Sequence, residues 1–161
     1  EYFLITLHRQ ENVDINERLK GILDSLELVY RKFSLPIIYP IHPRTKKRIR
    51  EFGLEVPEGT ELIEPPGFLE FLQLEANARL VLTDSGGVQE ETCILKIPCV
   101  TLRDNTERPE TLEVGSNVLA GVNQNKILEC VKIMVSKERD WKNPFGDGRA
   151  SKKIIKILKD R

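Results

Sequence analysis

Short apolar runs alternate along the chain with longer segments whose apolar residues recur at helical spacing. The short runs are rich in β-branched and aromatic residues, which is typical of strands. They predict strands at residues 2–7, 37–39, 60–63, 80–82 and 99–102, and a weaker one at 116–119. The helical pattern predicts helices at residues 15–33, 45–52, 68–77, 88–95, 123–135 and 151–158. Asp14 and Glu17 have capping-box spacing and predict where the first helix starts.

This alternation predicts the fold class. Strands that are apolar throughout, each followed by a helix, are typical of a parallel sheet that is buried on both faces. We therefore expect an α/β fold with a doubly wound, mostly parallel, Rossmann-like sheet. The 161 residues contain no linker-like segment and no internal repeat, so we expect one domain spanning residues 1–161.

Polar residues or glycines follow each of the first five predicted strands. Both histidines of the chain, His8 and His42, belong to this set. A histidine at a strand end is either a structural hydrogen-bonding group or a catalytic one. Because ligands of doubly wound sheets bind beyond the carboxyl ends of the strands, the pattern predicts a site at this edge. The full set is residues 8–9, 42, 65–67, 84–87 and 103–108.

Ser85, Gly86 and Gly87 follow a buried strand and open a predicted helix. Backbone N–H groups at a helix start are free to bind an anion, and two glycines allow a ligand to approach the backbone closely. Glu90 or Glu91, one turn further on, could accept hydrogen bonds from a sugar diol. The pattern therefore favours a nucleotide diphosphate. The alternative is a capped surface turn after a core strand.

The composition of the chain argues against several classes of function. The 25 basic and 25 acidic residues balance, which argues against a nucleic-acid or anionic-membrane partner. No apolar run approaches the ~20 residues of a membrane span, and no signal peptide opens the chain, so we expect a cytoplasmic protein.

Cofactor and metal motifs are also lacking. No G-x-G-x-x-G follows the first strand, which argues against a dinucleotide, and we expect no cofactor. Cys93, Cys99 and Cys130 lack metal-ligand spacing and are expected to be reduced core residues, and no metal site is expected.

Five ordered motifs carry a resemblance to a known family. They are TLHRQEN at residues 6–12, YPIHP at 39–43, TDSGGVQEE at 83–91, RDNTERPE at 103–110 and NPFGDG at 143–148. In content and order they closely resemble the non-hydrolysing UDP-N-acetylglucosamine 2-epimerases. That family has a two-domain architecture like that of GT-B glycosyltransferases, with UDP held mainly by the C-terminal half. The chain resembles that half only, so we expect a partner domain N-terminal to it.

The resemblance implies roles for individual residues. In the family, the serine and two glycines that match Ser85, Gly86 and Gly87 bind the diphosphate. The glutamate that matches Glu91 binds the ribose hydroxyls. Phe71 matches an aromatic residue at the uracil end of the site, although its sequence pattern alone indicates a core position.

Further roles are implied for basic residues. Arg108 matches an arginine that contacts the nucleotide, and its alternative is a salt bridge to Glu107 or Glu110. His8 matches a histidine near the leaving group, where it would stabilise or protonate departing UDP. Arg9 and His42 match residues linked to a site at which a second substrate molecule activates bacterial members.

The implied reaction is reversible inversion at C2 of UDP-N-acetylglucosamine to give UDP-N-acetylmannosamine, through elimination and re-addition of UDP. The resemblance places the catalytic carboxylates in the absent N-terminal half, so the chain alone is expected to bind UDP without turnover. Asp84 is expected to cap its loop. The full-length protein is expected to be a homodimer. Two alternatives stay open: the nucleotide-sugar-binding half of a GT-B glycosyltransferase, and a noncatalytic nucleotide-binding domain.

Overall fold

Strands and helices alternate along residues 1–159, the part of the chain that the computed structural model describes. The strands are β1 (Phe3–Thr6), β2 (Ile37–Pro40), β3 (Thr60–Ile63), β4 (Leu80–Thr83), β5 (Cys99–Thr101) and β6 (Asn117–Leu119). The helices are α1 (Gln10–Val13), α2 (Asn16–Phe33), α3 (Pro43–Glu51), α4 (Phe68–Asn77), α5 (Gly86–Leu95), α6 (Pro109–Glu113), α7 (Gln124–Val135) and α8 (Ala150–Lys159).

All six strands form one parallel sheet in the order β3-β2-β1-β4-β5-β6. The chain builds outward from β1 to β3 and then returns, so that β4 lies directly beside β1, with Phe3 opposite Leu80 and Thr6 opposite Thr83. This is the topological switch point of a doubly wound sheet, where a crevice opens at the carboxyl ends of the two central strands.

Hydrophobic cores cover both faces of the sheet, which confirms the predicted doubly wound α/β fold. Phe3 and Ile5 of β1 belong to the larger core, which is completed mainly by α2, α3 and α7. Leu4, between them, points to the opposite face and joins a smaller core with Val81 and Val88. This alternation follows from the two-residue period of a strand, and it leaves both faces of β1 apolar.

The predicted elements are observed with bounds that differ by no more than one or two residues at an end. The prediction that Asp14 caps the long helix is wrong, because the N-cap of α2 is Ile15. The Asp14 carboxylate instead forms ion pairs with Arg44 and Arg48 of α3, and hydrogen bonds from both arginines hold its pKa below the ordinary value against the effect of desolvation. It thus joins α1 to α3.

The remaining features concern the surface and the thiols. Cys93, Cys99 and Cys130 are buried and unbonded, as predicted. In the described residues, no helix has the length and apolar character needed to cross a membrane. The last helix, α8, buries none of its side chains and exposes an apolar stripe that includes Ile154 and Leu158.

Candidate functional site

The carboxyl ends of β1 and β4 bring His8 and Asp84 together. Nδ1 of His8 lies 3.3 Å from Oδ1 of Asp84. The Asp84 side chain is fully buried, whereas that of His8 is 46% exposed. Because the two strands are neighbours, residues far apart in sequence meet at this crevice, and the histidine ring stands at its surface.

Asp84 also fastens the loop that follows β1. Its carboxylate accepts hydrogen bonds from the backbone N–H of His8 at 3.2 Å and of Arg9 at 2.9 Å, and from Nδ2 of Asn12 at 3.2 Å. Asn12, which is fully buried, also donates to the Leu102 carbonyl at 2.8 Å. The prediction that Asp84 caps its own loop is therefore corrected, because its carboxylate binds the loop after β1, which carries His8.

The start of α5 presents free backbone N–H groups at the same edge. Ser85 is the N-cap residue but its hydroxyl makes no capping hydrogen bond. Within residues 1–159, the N–H groups of Gly86, Gly87 and Val88 have no backbone or side-chain acceptor, and the first helical bond is donated by Gln89 to the Ser85 carbonyl at 3.2 Å. Free amides at a helix N-terminus, together with a free hydroxyl, suit an anion such as a diphosphate.

The two glycines have different surroundings. Gly86 is buried, and a Cβ atom added there would overlap Oε1 of Glu107. Gly87 is exposed, and an added Cβ would meet only Oγ of Ser85, at 3.8 Å. No contact within residues 1–159 therefore requires glycine at position 87, whereas a ligand lying against the helix start would.

A group of alternating charges borders this helix start. Glu107 binds Nη2 of Arg9 at 2.9 Å and Nη1 of Arg103 at 2.5 Å. Arg103, which is 8% exposed, also binds Glu11 at 2.7 Å. Desolvation opposes ionisation of Glu107, but hydrogen bonds from Arg103 and from the backbone, together with the charges of Arg103 and Arg9, lower the pKa of the Glu107 carboxyl. The network ties the loop after β5 to the loop after β1.

Arg108 forms an ion pair with a different carboxylate from the two that the sequence suggested. Neither Glu107 nor Glu110 offers it a carboxylate; the ion-pair partner of Arg108 is Glu90 on α5. Nη1 of Arg108 also donates to the Glu107 carbonyl at 3.0 Å. Helical spacing explains the partner, since Glu90 lies one turn from Gly86 on the side that faces the loop before α6.

Phe71 and both histidines line one cavity of about 180 Å³ at this edge. Phe71 is half-buried and packs against the smaller core, so it is a core residue with one face in the cavity. His42 is exposed, and its Nδ1 accepts a hydrogen bond from the Arg44 N–H at 3.2 Å, which caps α3. The cavity is lined by Thr6, Leu7, His8, Pro40, His42, Pro65, Pro66 and Phe71. A larger cavity, of about 400 Å³, lies between α2 and residues 53–58 at the opposite end of the strands.

Glu91 contacts a residue that sequence reasoning missed. Glu75, near the end of α4, is fully buried, and neither of its carboxyl oxygens has a hydrogen-bond donor among the described residues. Burial and the adjacent Glu91 carboxyl raise the pKa of Glu75 to about 9. In the sequence, Glu75 resembles any solvent-facing helical carboxylate, and its position next to Glu91 depends on how α4 packs against α5.

Gln89 was also missed, although it lies inside the motif that was singled out. It is fully buried; its Oε1 accepts from Thr106 at 2.5 Å and from Asn117 at 3.2 Å. Its Nε2 donates to the Ser85 carbonyl at 3.2 Å. Gln89 thereby links the helix start to the loop after β5 and to β6. A polar amide between Val88 and Glu90 gives no sequence signal for burial.

Comparison with known proteins gives matches along the chain. A family model described as UDP-N-acetylglucosamine 2-epimerase matches residues 1–159. A UDP-N-acetylglucosamine 2-epimerase of Methanocaldococcus jannaschii is 57% identical over 162 residues, covering 98% of this chain and 44% of that protein. A UDP-2,3-diacetamido-2,3-dideoxy-D-glucuronate 2-epimerase of Pseudomonas aeruginosa is 39% identical, covering 98% of this chain and 44% of that protein.

A solved structure gives the same result in three dimensions. The crystal structure of Methanocaldococcus jannaschii UDP-GlcNAc 2-epimerase in complex with UDP-GlcNAc and UDP superposes with a TM-score of 0.92 at 56% identity. The match covers 99% of this chain and 45% of that one. The chain thus spans less than half the length of the relatives it matches.

Proposed function

The chain belongs to the UDP-N-acetylglucosamine 2-epimerase family, and from this premise we propose that it is the UDP-binding half of such an enzyme. The full-length protein would interconvert UDP-N-acetylglucosamine and UDP-N-acetylmannosamine. The observation that carries this proposal is the start of α5, where free amides and the free Ser85 hydroxyl lie at the switch point of the sheet. One domain, residues 1–161, would supply this half of the site.

In this proposal the diphosphate lies against Ser85, Gly86 and Gly87. The helix dipole and the free N–H groups favour its negative charge. Arg108, held at the border of the site by Glu90, adds a cation for the phosphate oxygens. The exposed position of Gly87 supports this pose, because the ligand could approach the backbone there without displacing any side chain.

The nucleoside extends from the diphosphate along α5 and α4. Glu91, one turn beyond the helix start, accepts hydrogen bonds from the ribose hydroxyls. The uracil lies towards Phe71, whose half-buried ring offers a flat apolar face in the cavity. Aromatic faces of this kind bind bases by stacking.

The chemistry proposed is elimination followed by re-addition. A base removes the C2 proton as the bond between C1 and the UDP oxygen breaks, which gives a glycal and UDP. Addition of a proton to C2 from the opposite face, with return of UDP to C1, gives the epimer. His8, beside the switch point, would donate a proton to the departing UDP oxygen, and Asp84 would hold its ring. The carboxylates that act at C2 would come from the N-terminal half.

The remaining parts of the proposal concern the whole protein. It would be a cytoplasmic homodimer that supplies UDP-N-acetylmannosamine for polysaccharide biosynthesis. Arg9 and His42 would contribute to an effector site for a second substrate molecule. Three buried, unbonded cysteines support a reducing compartment. The UDP-sugar would be its partner, with no nucleic acid or membrane involved.

The test uses the full-length protein with UDP-N-acetylglucosamine in D₂O. Formation of the 2-epimer with deuterium at C2 of both sugars is the expected result, and the isolated chain should show no conversion. Sugar transfer to an added acceptor without exchange at C2 would instead indicate a glycosyltransferase. Binding of UDP with neither exchange nor transfer would indicate a noncatalytic nucleotide-binding protein.

A further inference from the structure

The contact between Glu75 and Glu91 joins two side chains that cannot both be ionised without cost. Glu75 is fully buried, and both of its oxygens lack a donor within the described part of the chain. The group adjacent to it is the Glu91 carboxyl, across the contact between α4 and α5. Because an ionised carboxylate can only accept hydrogen bonds, the two groups can bond to each other only when one of them carries a proton.

Burial decides which of the two carries that proton. Taking a group out of water disfavours its charged form, and Glu75 is completely enclosed whereas Glu91 is partly exposed at the crevice edge. The proton therefore belongs to Glu75. Burial and the Glu91 carboxyl together raise the pKa of Glu75 to about 9, so the group is neutral at physiological pH.

We propose that Glu75 is a positioning residue for ribose recognition, donating its carboxyl proton to Glu91 and holding that carboxylate towards the ribose hydroxyls. This inference rests on the proposed role of Glu91. The donated hydrogen bond fixes the Glu91 rotamer before the ligand arrives, so that less conformational entropy is lost on binding. It also leaves the negative charge on the partner that faces the ligand.

The arrangement makes ribose recognition sensitive to alkaline pH. Once Glu75 ionises, its charge repels Glu91 at short range and the donated hydrogen bond is lost. The thiol of Cys99 also lies near Glu75, and the Tyr2 hydroxyl donates to the carbonyl of the preceding residue, Leu74. Burial raises the thiol pKa of Cys99 to about 12, above the range in which Glu75 titrates.

The test measures the affinity of the full-length protein for UDP and for 2′-deoxy-UDP. If Glu91 binds the ribose, the wild type should prefer UDP by about tenfold or more, since a hydrogen bond to a charged group is lost in the deoxy compound. Glu75→Met removes the donor at similar side-chain length and should reduce the preference to less than about threefold. Affinity for 2′-deoxy-UDP should change little, which shows that the variant is folded.

Two further variants separate positioning from packing. Glu75→Gln keeps a hydrogen-bond donor for Glu91, so it should preserve the preference for UDP over 2′-deoxy-UDP. In the wild type this preference should decline above about pH 9, and in Glu75→Gln it should not. Gln73→Met places the same methionine on an exposed position of α4 and should have no effect.

The possible failures are distinguishable. A wild type that binds both nucleotides equally, or neither, would overturn the proposed ribose site itself. A wild-type preference that Glu91→Gln abolishes but Glu75→Met leaves intact would overturn the positioning role alone. A pH profile that is the same for wild type and Glu75→Gln would also overturn it.

Discussion

Nδ1 of His8 lies 3.3 Å from Oδ1 of Asp84, and the carboxylate is fully buried while the imidazole is half exposed. A buried carboxylate beside Nδ1 favours the tautomer with its proton on that atom and fixes the ring plane. The other ring nitrogen, Nε2, then points away from Asp84. In the proposed enzyme this is the nitrogen that would exchange a proton with the leaving group.

Replacing His8 tests whether it acts as a general acid. In the full-length protein, His8→Ala should lower kcat by about 10²–10⁴-fold, the range typical of general acid–base catalysis. Steady-state kinetics of epimerisation measures this, and thermal unfolding should show little change because the side chain is half exposed. A smaller loss that appears mainly in KM would assign His8 to binding instead.

Asp84→Asn should impair both the loop and the histidine. The amide presents N–H groups to the backbone donors of His8 and Arg9, so we expect a loss of about 1–3 kcal/mol in the free energy of unfolding and a lower kcat. Urea unfolding and kinetics measure the two effects. In a His8→Ala background, the kcat effect of Asp84→Asn should largely disappear. Additive effects on kcat would show that Asp84 does not act through His8.

Gly87→Ala tests the phosphate site without a clash in the free protein. An added methyl group meets only Ser85 Oγ at 3.8 Å, and alanine favours the helix by about 0.5–1 kcal/mol, so stability should be kept or slightly increased. UDP affinity, measured by calorimetry, should fall at least about tenfold if the diphosphate lies against this amide. Unchanged UDP affinity would show that the diphosphate does not lie against the Gly87 amide.

Gly86→Ala should behave differently. Here the methyl group overlaps Glu107, which Arg9 and Arg103 hold in place, so the variant should lose stability as well as UDP affinity. The contrast between the two glycines separates a packing requirement from a ligand requirement. Thermal unfolding without and with UDP measures both.

Glu91→Gln and Glu90→Gln distinguish two neighbouring carboxylates. Loss of a charge-assisted hydrogen bond to the ribose should weaken UDP binding about ten- to a hundredfold for Glu91→Gln. Glu90→Gln releases Arg108 from a half-exposed ion pair, and its effect should be less than about threefold and sensitive to salt. Calorimetry with both variants decides between them. A larger loss of UDP affinity for Glu90→Gln than for Glu91→Gln would assign ribose binding to Glu90 instead.

The buried Glu75 should make stability depend on pH. Its folded-state pKa, about 9, lies above the ordinary value of 4.5, so the folded protein holds a proton that the unfolded chain has lost between these limits. Stability should therefore fall as the pH rises through this window, by at most about 1.4 kcal/mol per pH unit for one proton. Urea unfolding from pH 5 to 9 should show this decline for the wild type and a flatter profile for Glu75→Gln. Equal slopes would show that Glu75 does not hold the extra proton.

The regular elements could be predicted because their patterns are long or strongly apolar. Strand β3 and helix α4 have the predicted bounds, and the strand ends brought His8 and Asp84 to the same edge. The single-turn helices α1 and α6 were missed because one turn is too short to show periodicity. The order of the strands was not predicted, since hydrophobic runs do not encode which strands are neighbours.

The interaction partners of polar side chains were harder to predict than the positions of the helices and strands. Asp14 has the spacing of a cap but pairs with Arg44 and Arg48, which are 30 and 34 residues further along the chain. Arg108 pairs with Glu90 across a loop that the sequence leaves unspecified. The burial of Glu75 likewise depends on the packing of α4 against α5. Such contacts are set by tertiary geometry, which the local pattern does not contain.

The position of β4 beside β1 has a consequence for synthesis on the ribosome. Until residues 80–83 have been made, β1 can pair on only one side, with β2, and its other edge carries unpaired backbone groups between apolar side chains. Such an edge can form backbone hydrogen bonds with a strand of another nascent chain. The strand that closes it also brings Asp84 to His8, so the event that protects the growing polypeptide from aggregation is the same one that creates the crevice.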